Sequence, residues 1–454
     1  MRVQNNQIFS GATPQEVAAD LAPLVDFQDD GVPLESLRQL IHRHLEPHLM
    51  RYDLPQFQSM FNAFLEPGAT LGARVALQWN QGVTNWQVSP GGAMLEELGC
   101  KALCRLFGLD EEADATVMYC GTYANQQALY MALDAHARSR GFELAETGVA
   151  GFADPSRLAV IASTDAHFSL RHAVRTLGLG ERSLVTVGVD ANRRIDLDQL
   201  QKTVAELQRD RDIFCVVATA GTTSTGSVDP VLRVAEVCEA ASTWLHVDGA
   251  YGLAYRLVPE WAHRFAGIER ADSVCWDPHK QFGVPIPSSI LFVRRARDFG
   301  RMALFSSYFN RPQVGQPNPG LKSAPSTRPL TVLPLVTSLR HQGLNGVVQR
   351  LRAPLETIRM IAAHVSTQAD LELCHEPDTA VLCFRITQQG WDEERLNRLQ
   401  RTVYERVMQR GERTISITQI DDKTTLRLVA VSPTVTTAAM MDTIEYVRRI
   451  AANE

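Results

Sequence analysis

A lysine follows an apolar segment in a setting that suits covalent chemistry. Lys280 ends the sequence Asp-Pro-His-Lys, which lies between the apolar runs Ser273 to Trp276 and Ser289 to Val293. This pattern predicts a strand, a functional loop and a second strand. A desolvated lysine amine loses its proton readily and can then attack an aldehyde. Taken alone, the tetrapeptide is also compatible with a surface lysine on a loop.

An aspartate upstream of this lysine extends the chemical pattern. The segment Trp244 to Asp248 predicts a buried strand that ends in a carboxylate and is followed by small residues. Catalysis with pyridoxal phosphate (PLP) requires an acid group opposite the pyridine nitrogen, so that the ring stays protonated and draws electrons. Lys280 and Asp248 together therefore predict PLP as cofactor, bound to Lys280 as a Schiff base. For Asp248 alone, a helix cap or a loop carboxylate remains the alternative.

Two strings place these residues in a recognisable context. The sequence HVDGAYG at 246–252, followed by DSVCWDPHK at 272–280, resembles the group II PLP-dependent amino-acid decarboxylases. That family includes the aromatic amino-acid, glutamate, cysteine-sulfinate and diaminobutyrate decarboxylases, and the resemblance extends from the region of Met50 to the C-terminus. It implies a PLP-dependent carboxy-lyase of fold type I that acts on an L-amino acid and forms a homodimer, with the N-terminal region packed across the partner.

The phosphate of the cofactor has a candidate site at the start of a helix. Gly121 and Thr122 follow a predicted strand, and a helix N-terminus offers free N–H groups and a partial positive charge. Such a helix start is also compatible with a simple cap. The family has a Gly-Gly-Thr-x-Ala-Asn pattern here, and this chain has Cys120 in place of the first glycine. By the same resemblance, His279 is the second phosphate ligand.

The resemblance also implies residues around the pyridine ring. His167, which follows the predicted strand Leu158 to Ala162, matches the histidine that stacks on the ring, although a hydrogen-bonded core histidine is the alternative. Ala250 is small enough for the opposite ring face. Thr219 opens a glycine- and hydroxyl-rich loop that matches the family loop near the cofactor. That loop lacks the Gly-Lys-Ser/Thr ending of a nucleotide phosphate loop.

Two departures from the family leave the reaction outcome open. Leu54 replaces the histidine of a His-Pro-x-Phe motif near the substrate mouth. The segment Asn310 to Pro325, rich in Pro, Gly and Asn, predicts a mobile lid, yet it lacks the tyrosine with which many relatives deliver a proton; Tyr308 lies just before it. Aldehyde-forming, transaminating or lyase activity is therefore the alternative to decarboxylation. A non-catalytic protein with a fossil site is a third possibility, against which the joint presence of the site residues argues.

The residues that recognise the substrate are less specific. Arg328 and Arg340 resemble family positions and are equally compatible with binding a carboxylate and with structural ion pairs. Phe57, Phe61 and Phe64 are candidates for a substrate pocket, with ordinary core packing as the alternative. The identity of the amino acid stays open.

Composition excludes several classes of protein. A net charge of −6, with no long basic run, argues against a nucleic-acid partner. No apolar run reaches the length of a membrane span, and the start lacks a signal-peptide pattern, so we expect a cytoplasmic protein without a membrane partner. Cys100 and Cys104 lie four residues apart, but no second pair at zinc spacing follows, and we expect no metal site.

The order of elements predicts the architecture. Apolar runs alternate with helical patterns up to Val293, which implies a mostly parallel, seven-stranded sheet covered on both faces. Ligands of such sheets bind beyond the carboxyl ends of the strands, where every residue singled out above falls. We predict an N-terminal helical segment over 1–75, a large PLP-binding α/β domain over 76–344 and a small α+β domain over 345–454.

Overall fold

The computed structural model describes residues 7–306 and 315–454, which form two compact units. The larger unit comprises residues 65–352 and 377–379. The smaller unit comprises the N-terminal residues to 64 together with 353–376 and 380–454. The predicted three-part division of the chain stays a prediction.

The larger unit is built on a seven-stranded sheet in which one strand runs against the others. The strand order is β1-β7-β6-β5-β4-β2-β3, and β7 pairs antiparallel with both β1 and β6, whereas the remaining pairs are parallel. The strands are β1 (Asp114–Met118), β2 (Leu158–Ser163), β3 (Leu184–Val187), β4 (Asp212–Thr219), β5 (Trp244–Asp248), β6 (Ser273–Trp276) and β7 (Ser289–Val293).

Burial explains why these segments are strands. Every residue of β1, β2, β5, β6 and β7 is buried, as expected for strands covered on both faces, where apolar side chains are needed on both sides of the pleat. The short strand β3 lies at the edge and is only partly buried. The predicted mostly parallel sheet of seven strands is therefore confirmed, with strand ends that differ by one or two residues.

Twelve α-helices lie within the described residues. They are α1 (Pro14–Leu21), α2 (Leu34–His44), α3 (Pro67–Trp79), α4 (Pro90–Leu106), α5 (Gly121–Ser139), α6 (Leu144–Thr147), α7 (Ser169–Thr176), α8 (Leu197–Leu207), α9 (Val231–Ala241), α10 (Val332–Val365), α11 (Glu393–Arg410) and α12 (Thr437–Ala451). Within α10, Gly343 has φ 62°, a backbone conformation that glycine adopts without strain, and the helix is interrupted there.

The helix that positions the candidate site is α5. It packs against β4, β5, β6 and β7 through buried residues that include Ala124, Ala128 and Leu129. Small side chains such as alanine let the helix lie close to the sheet, so the start of α5 is held at the carboxyl edge of the neighbouring parallel strands.

The smaller unit has its own four-stranded antiparallel sheet. Its order is β10-β11-β9-β8, formed by β8 (Leu371–Leu373), β9 (Val381–Ile386), β10 (Ser416–Ile420) and β11 (Lys423–Val429). Asp421 and Asp422 both have positive φ, as a two-residue hairpin turn requires, and they join β10 to β11. The edge strand β8 escapes prediction from sequence, since three residues carry too short a pattern.

Two classes of feature are absent from the described part of the chain. No helix there combines the length and the apolar character needed to cross a membrane. Across residues 7–306 and 315–454, no group of three or more His, Cys, Asp or Glu side chains is placed to hold a metal ion.

Candidate active site

The predicted site residues of the larger unit converge on one edge of its sheet. Asp248 and Thr219 end the adjacent parallel strands β5 and β4, and Lys280 follows β6. His167 follows β2, and Gly121 starts α5 after β1. Because these strands all run the same way, their carboxyl ends meet at the same edge and bring the side chains together.

Lys280 lies in a tight turn beside an acidic and a second basic group. Its Nζ is 3.3 Å from Oδ2 of Asp277, and the same oxygen lies 3.6 Å from Nε2 of His279. The Lys280 side chain is only 20% exposed, so its amine is largely withdrawn from water. Burial lowers the pKa of His279, whose Nδ1 accepts a hydrogen bond from the Ser288 N–H at 3.2 Å. The turn therefore presents an amine beside a neutral imidazole and one carboxylate.

Asp248 is held as a buried carboxylate. The Asn125 amide donates to Oδ2 at 2.8 Å, and the Ala250 N–H donates to Oδ1 at 3.2 Å. Burial by itself would raise the pKa of this carboxyl group. The Asn125 hydrogen bond, together with His167, His246 and Lys280, outweighs burial and lowers the pKa below its ordinary value. A lasting negative charge is thus built into the end of β5.

A chain of buried hydrogen bonds runs along the same face of β5 to this carboxylate. The Trp244 indole donates to Ser273 Oγ at 2.9 Å, and the Ser273 hydroxyl lies 2.9 Å from Nδ1 of His246. Nε2 of His246 lies 3.0 Å from the carbonyl oxygen of Asn125, which can only accept. His246 therefore carries its proton on Nε2 and orients the Asn125 amide toward Asp248. Burial lowers the pKa of His246 to about 4, so the ring is neutral near pH 7.

His167 completes the group around Asp248. Its Nδ1 accepts a hydrogen bond from the Ser169 N–H at 3.2 Å, and its ring centroid lies 4.1 Å from that of Phe168. Burial lowers the pKa of His167, while Asp248 opposes this and Lys280 adds to it. The role of His167 at the face of a cofactor ring stays a prediction.

The start of α5 provides an uncapped helix N-terminus. Cys120 is in the N-cap position and makes no side-chain cap hydrogen bond, so the N–H groups of the first turn are available to a ligand. A Cβ atom on Gly121 would lie 3.0 Å from Oδ2 of Asp277 and 3.2 Å from Cβ of Ala250. Glycine at this position therefore keeps open the space between the helix start, the lysine turn and the residue after β5.

Several buried polar atoms at the same edge have no partner among the described residues. They are Oγ1 of Thr219, Oγ of Ser288 and Oδ1 of Asp277. Buried polar groups are nearly always hydrogen-bonded in native proteins, so each such atom calls for an explanation. A polar ligand at this edge would satisfy the two hydroxyl groups.

The sequence leaves the roles of Arg328 and Arg340 open, and in the structure the two side chains have different surroundings. Arg328 is buried and its guanidinium contacts the Glu96 carboxylate, with Oγ1 of Thr116 at 3.2 Å. Arg340 is exposed on α10. The structure thus favours an ion-pair role for Arg328 and leaves Arg340 facing solvent.

Part of the predicted lid is fastened to the larger unit. Lys322 forms ion pairs with Glu97 at 2.6 Å and with Asp114 at 2.8 Å. Backbone hydrogen bonds tie Pro317 and Gly320 to the segment around Trp86. These contacts hold residues 317–322 against the larger unit, and the mobility of the lid stays a prediction. Tyr308 and residues 310–314 lie outside the described residues.

The three phenylalanines predicted for a pocket differ in burial. Phe57 is buried in the smaller unit and packs on Tyr52 with ring centroids 4.7 Å apart. The Arg427 guanidinium lies 4.8 Å from the centroid of Phe61, whereas Phe64 is exposed. Phe57 fits the core alternative, and a pocket role for the other two stays a prediction.

Two residues of the site were not singled out from the sequence for the roles they have. Asn125 stands one turn after Gly121 on α5, and His246 stands two residues before Asp248 on the same face of β5. The period of two along a strand is the one signal that could have linked His246 to the aspartate. Nothing local in the sequence indicates that Asn125 reaches both of them.

Comparisons with known proteins identify the family that the chain resembles. A family model described as the pyridoxal-dependent decarboxylase conserved domain matches residues 16–387. The L-2,4-diaminobutyrate decarboxylase of Acinetobacter baumannii is 26% identical over 445 residues, which cover 96% of this chain and 87% of that protein.

Solved structures show the same fold. The glutamate decarboxylase domain of a diaminobutyrate-pyruvate transaminase and L-2,4-diaminobutyrate decarboxylase from Vibrio parahaemolyticus superposes with a TM-score of 0.89 at 24% identity, covering 99% of this chain and 92% of that one. TDC of Oryza sativa, solved with PLP and tryptamine, gives a TM-score of 0.91 at 22% identity and covers 98% and 93% of the two chains. The predicted fold class is thereby confirmed.

Proposed function

The chain belongs to the family of pyridoxal-dependent decarboxylases, which makes it a PLP-dependent carboxy-lyase of amino acids, and we propose that Lys280, Asp248 and His167 carry its reaction. The proposed reaction releases carbon dioxide from an L-amino acid and yields the amine. The observation that supports these roles best is the convergence of the three side chains at one sheet edge, where Lys280 and Asp248 both act on the pKa of His167.

The residues at this edge fit PLP. The uncapped start of α5 at Gly121 and Thr122, together with His279, would hold the phosphate, and Thr219 and Ser288 have hydroxyl groups that lack a partner. When bound, PLP supplies an electron sink for the bond that breaks at the substrate α-carbon.

The proposed roles follow from the state in which each side chain is held. Asp248 keeps its negative charge because the Asn125 hydrogen bond and the nearby basic side chains stabilise it, so it can hold a proton on a pyridine nitrogen. His167 is neutral near pH 7 and offers a flat ring face, while Ala250 leaves room opposite. Lys280, withdrawn from water beside Asp277, would supply the amine that holds the cofactor covalently.

The sequence also supports a reaction other than simple decarboxylation. Residues 310–325 contain neither tyrosine nor histidine, so the group that returns a proton to the α-carbon is not assigned there. Aldehyde-forming, transaminating or lyase activity is the second candidate function, and the products distinguish it from simple decarboxylation.

A homodimer is part of the proposal. Helix α3 carries large apolar side chains that are exposed in the single chain, among them Leu71, Leu77 and Trp79, of which Leu77 is 81% exposed. Apolar side chains clustered on one helix often mark an interface between subunits. A second copy of the chain is the proposed occupant of this surface.

We also propose a cytoplasmic location. All eight cysteines are free thiols, as expected in a reducing compartment. Titration of the denatured protein with a thiol reagent, without added reductant, should count eight thiols per chain; a lower count would indicate disulfides and an oxidising compartment.

The test of the proposed reaction is a screen of L-amino acids with PLP-loaded protein. Carbon dioxide, amine, ammonia and hydrogen peroxide are measured for the wild type, for Lys280→Ala and for Lys202→Ala, which removes an exposed lysine on α8. We expect carbon dioxide and amine in equal amounts, and a loss of at least about a hundredfold for Lys280→Ala alone. Ammonia or peroxide in place of the amine would favour the second candidate. Unchanged activity of Lys280→Ala would overturn the site.

A further inference from the structure

Strand β6 places a side chain with a hydroxyl or thiol group beside each of the two polar residues on one face of β5. In the register of these parallel strands, Ser273 stands beside His246 and Cys275 stands beside Asp248. Paired positions of neighbouring strands share a face of the sheet, and that face recurs at every second residue. The face of β5 that carries the proposed acid is therefore flanked first by a hydroxyl group and then by a thiol.

The thiol of Cys275 lies within hydrogen-bond distance of the acid. Its Sγ is 3.3 Å from Oδ1 of Asp248 and 3.1 Å from Oδ1 of Asn125. A thiol has one hydrogen to donate, whereas a carboxylate oxygen and an amide oxygen can only accept. The two oxygens therefore compete for the same proton.

Charge favours the carboxylate in this competition. Each oxygen accepts one further hydrogen bond, from Nε2 of His246 in the case of Asn125 and from the Ala250 N–H in the case of Asp248. The two acceptors thus differ mainly in that one of them is ionised. A hydrogen bond to an ionised acceptor is roughly twice as strong as one between neutral groups.

The surroundings of Cys275 keep its thiol protonated. The side chain is fully buried, and burial raises the pKa of the thiol well above its ordinary value. The negative charges of Asp248 and Asp277 raise this pKa further. Near pH 7, Cys275 is therefore an S–H donor and not a thiolate nucleophile.

We propose that Cys275 is a positioning residue for the active-site acid: its thiol donates a hydrogen bond to Oδ1 of Asp248 and helps to keep that carboxylate ionised. The inference rests on the proposed function, in which Asp248 holds a proton on the pyridine nitrogen of PLP. Asn125 donates to Oδ2, and the Ala250 N–H and the Cys275 thiol donate to Oδ1. A carboxylate that receives several hydrogen bonds favours its ionised form, and its rotation is fixed as well.

The first measurement detects the hydrogen bond of the thiol directly. The S–H stretching band of Cys275 is obtained by infrared spectroscopy of PLP-loaded protein, as the difference between the wild type and Cys275→Ala. Cys104→Ala gives the reference band, because Cys104 is buried on α4 and its thiol has no hydrogen-bond acceptor among the described residues. We expect the Cys275 band at a lower frequency than the Cys104 band.

The same band identifies the acceptor. We expect it to rise in frequency in the Asp248→Asn background, where the difference is taken against Asp248→Asn/Cys275→Ala, because a neutral amide is a weaker acceptor than a carboxylate. If the protein takes up no PLP, the proposed function fails, and the band recorded without PLP still tests this hydrogen bond.

The second measurement tests the effect of the thiol on the reaction. In Cys275→Ala, kcat should fall about fivefold, the effect of losing one typical hydrogen bond, and the acid limb of the pH–rate profile should move to higher pH. Cys275→Val, which fills the space without a donor, should behave in the same way. Cys275→Ser retains a donor and should restore most of the loss, and Cys104→Ala should resemble the wild type.

Melting temperatures and the visible absorbance of bound PLP show whether each variant is folded and loaded. The proposal is overturned if the Cys275 band coincides with the Cys104 band, or if it does not move in Asp248→Asn. It is also overturned if a folded and loaded Cys275→Ala or Cys275→Val keeps the acid limb of the wild type, or if Cys275→Ser is as impaired as Cys275→Ala. Unchanged activity of Lys280→Ala would instead overturn the proposed function, on which the infrared result does not depend.

Discussion

At the scale of the residue, the charge on Asp248 depends on a neighbour that is itself neutral. The carboxyl group is buried, and burial without a partner would favour its protonated form. The Asn125 amide offsets this cost with a hydrogen bond at 2.8 Å, and His246 fixes which way the amide points. Asn125 is thus a positioning residue for the acid that the proposed chemistry requires.

Replacing Asn125 by alanine should impair catalysis without removing any proposed catalytic group. We expect kcat to fall by about tenfold, since a hydrogen bond to a charged group contributes about 1.5–3 kcal/mol. The pKa of Asp248 should rise, so the acid limb of the pH–rate profile should move to higher pH. The pH profile of the reaction checks this expectation.

Gln127→Met is the control for this change. Gln127 lies on the same helix and donates to the Lys322 carbonyl at 2.7 Å, away from Asp248. Its replacement should leave the acid limb in place. An unshifted acid limb in Asn125→Ala would show that the amide does not set the charge of Asp248.

The stability of the fold should depend on pH through His246. Its pKa is lowered from 6.5 to about 4 by burial, so the unfolded chain binds a proton more readily than the folded one in this range. Stability from this group is present above pH 6.5 and is lost as the pH falls toward 4, by about 3 kcal/mol in all. Thermal unfolding of the wild type and of His246→Gln between pH 7 and pH 4 measures it.

The difference in pH-dependent stability between the wild type and His246→Gln gives the contribution of His246 separately from that of the other titrating groups. The variant should lose less stability than the wild type over the same pH interval, although it starts from a lower value because two hydrogen bonds are altered. Parallel losses in both proteins would show that His246 is not the group that titrates.

At the scale of the element, a buried ion pair joins α4 to the segment after Gly320. Glu96 of α4 and Arg328 are each almost fully buried, and Glu96 also accepts the N–H of Val117 in β1 at 3.2 Å. An arginine held in this way stabilises the end of β1, the strand that leads into α5. It is poorly placed to bind a substrate carboxylate, because its charge is already matched.

Arg328→Met should therefore destabilise the protein by about 3–5 kcal/mol, since it leaves the buried Glu96 carboxyl group, whose pKa burial already raises, without its cationic partner. The double variant Arg328→Met/Glu96→Leu should recover most of this loss. Denaturant titration gives the free energies, and Arg340→Met, at an exposed position, should stay within about 0.5 kcal/mol of the wild type. A normally stable Arg328→Met with a raised KM would instead assign Arg328 to the substrate.

At the scale of the whole molecule, the proposed dimer follows from surface that a single chain leaves uncovered. The exposed side chains of α3 include Leu71 and Trp79, which lie eight residues apart and so share one helix face, and an apolar face is unfavourable in water. We expect Leu71→Glu/Trp79→Glu to shift the protein from dimer toward monomer in sedimentation velocity experiments. Lys202→Glu, a charge change on α8, should leave the dimer intact. A double variant that stays dimeric would exclude this face from the interface.

The sequence by itself determined the type of fold and the reactive groups. Buried strands and amphipathic helices have hydrophobic periods that can be read from a short stretch of sequence. The segments around Asp248 and Lys280 indicate the cofactor chemistry, and both of these residues lie close to strand ends. In the sheet, these residues lie at the carboxyl edge of the parallel strands, where ligands of such sheets bind.

Only the tertiary structure decided which distant groups meet. The partnership of Asn125 with His246 and Asp248, the burial of Arg328 against Glu96 and the attachment of Lys322 to Glu97 all join segments far apart in the chain. Local pattern fixes which face of an element is apolar, but the contacts of a polar side chain depend on which elements pack beside it, and that is settled by the packing of the whole sheet and its helices.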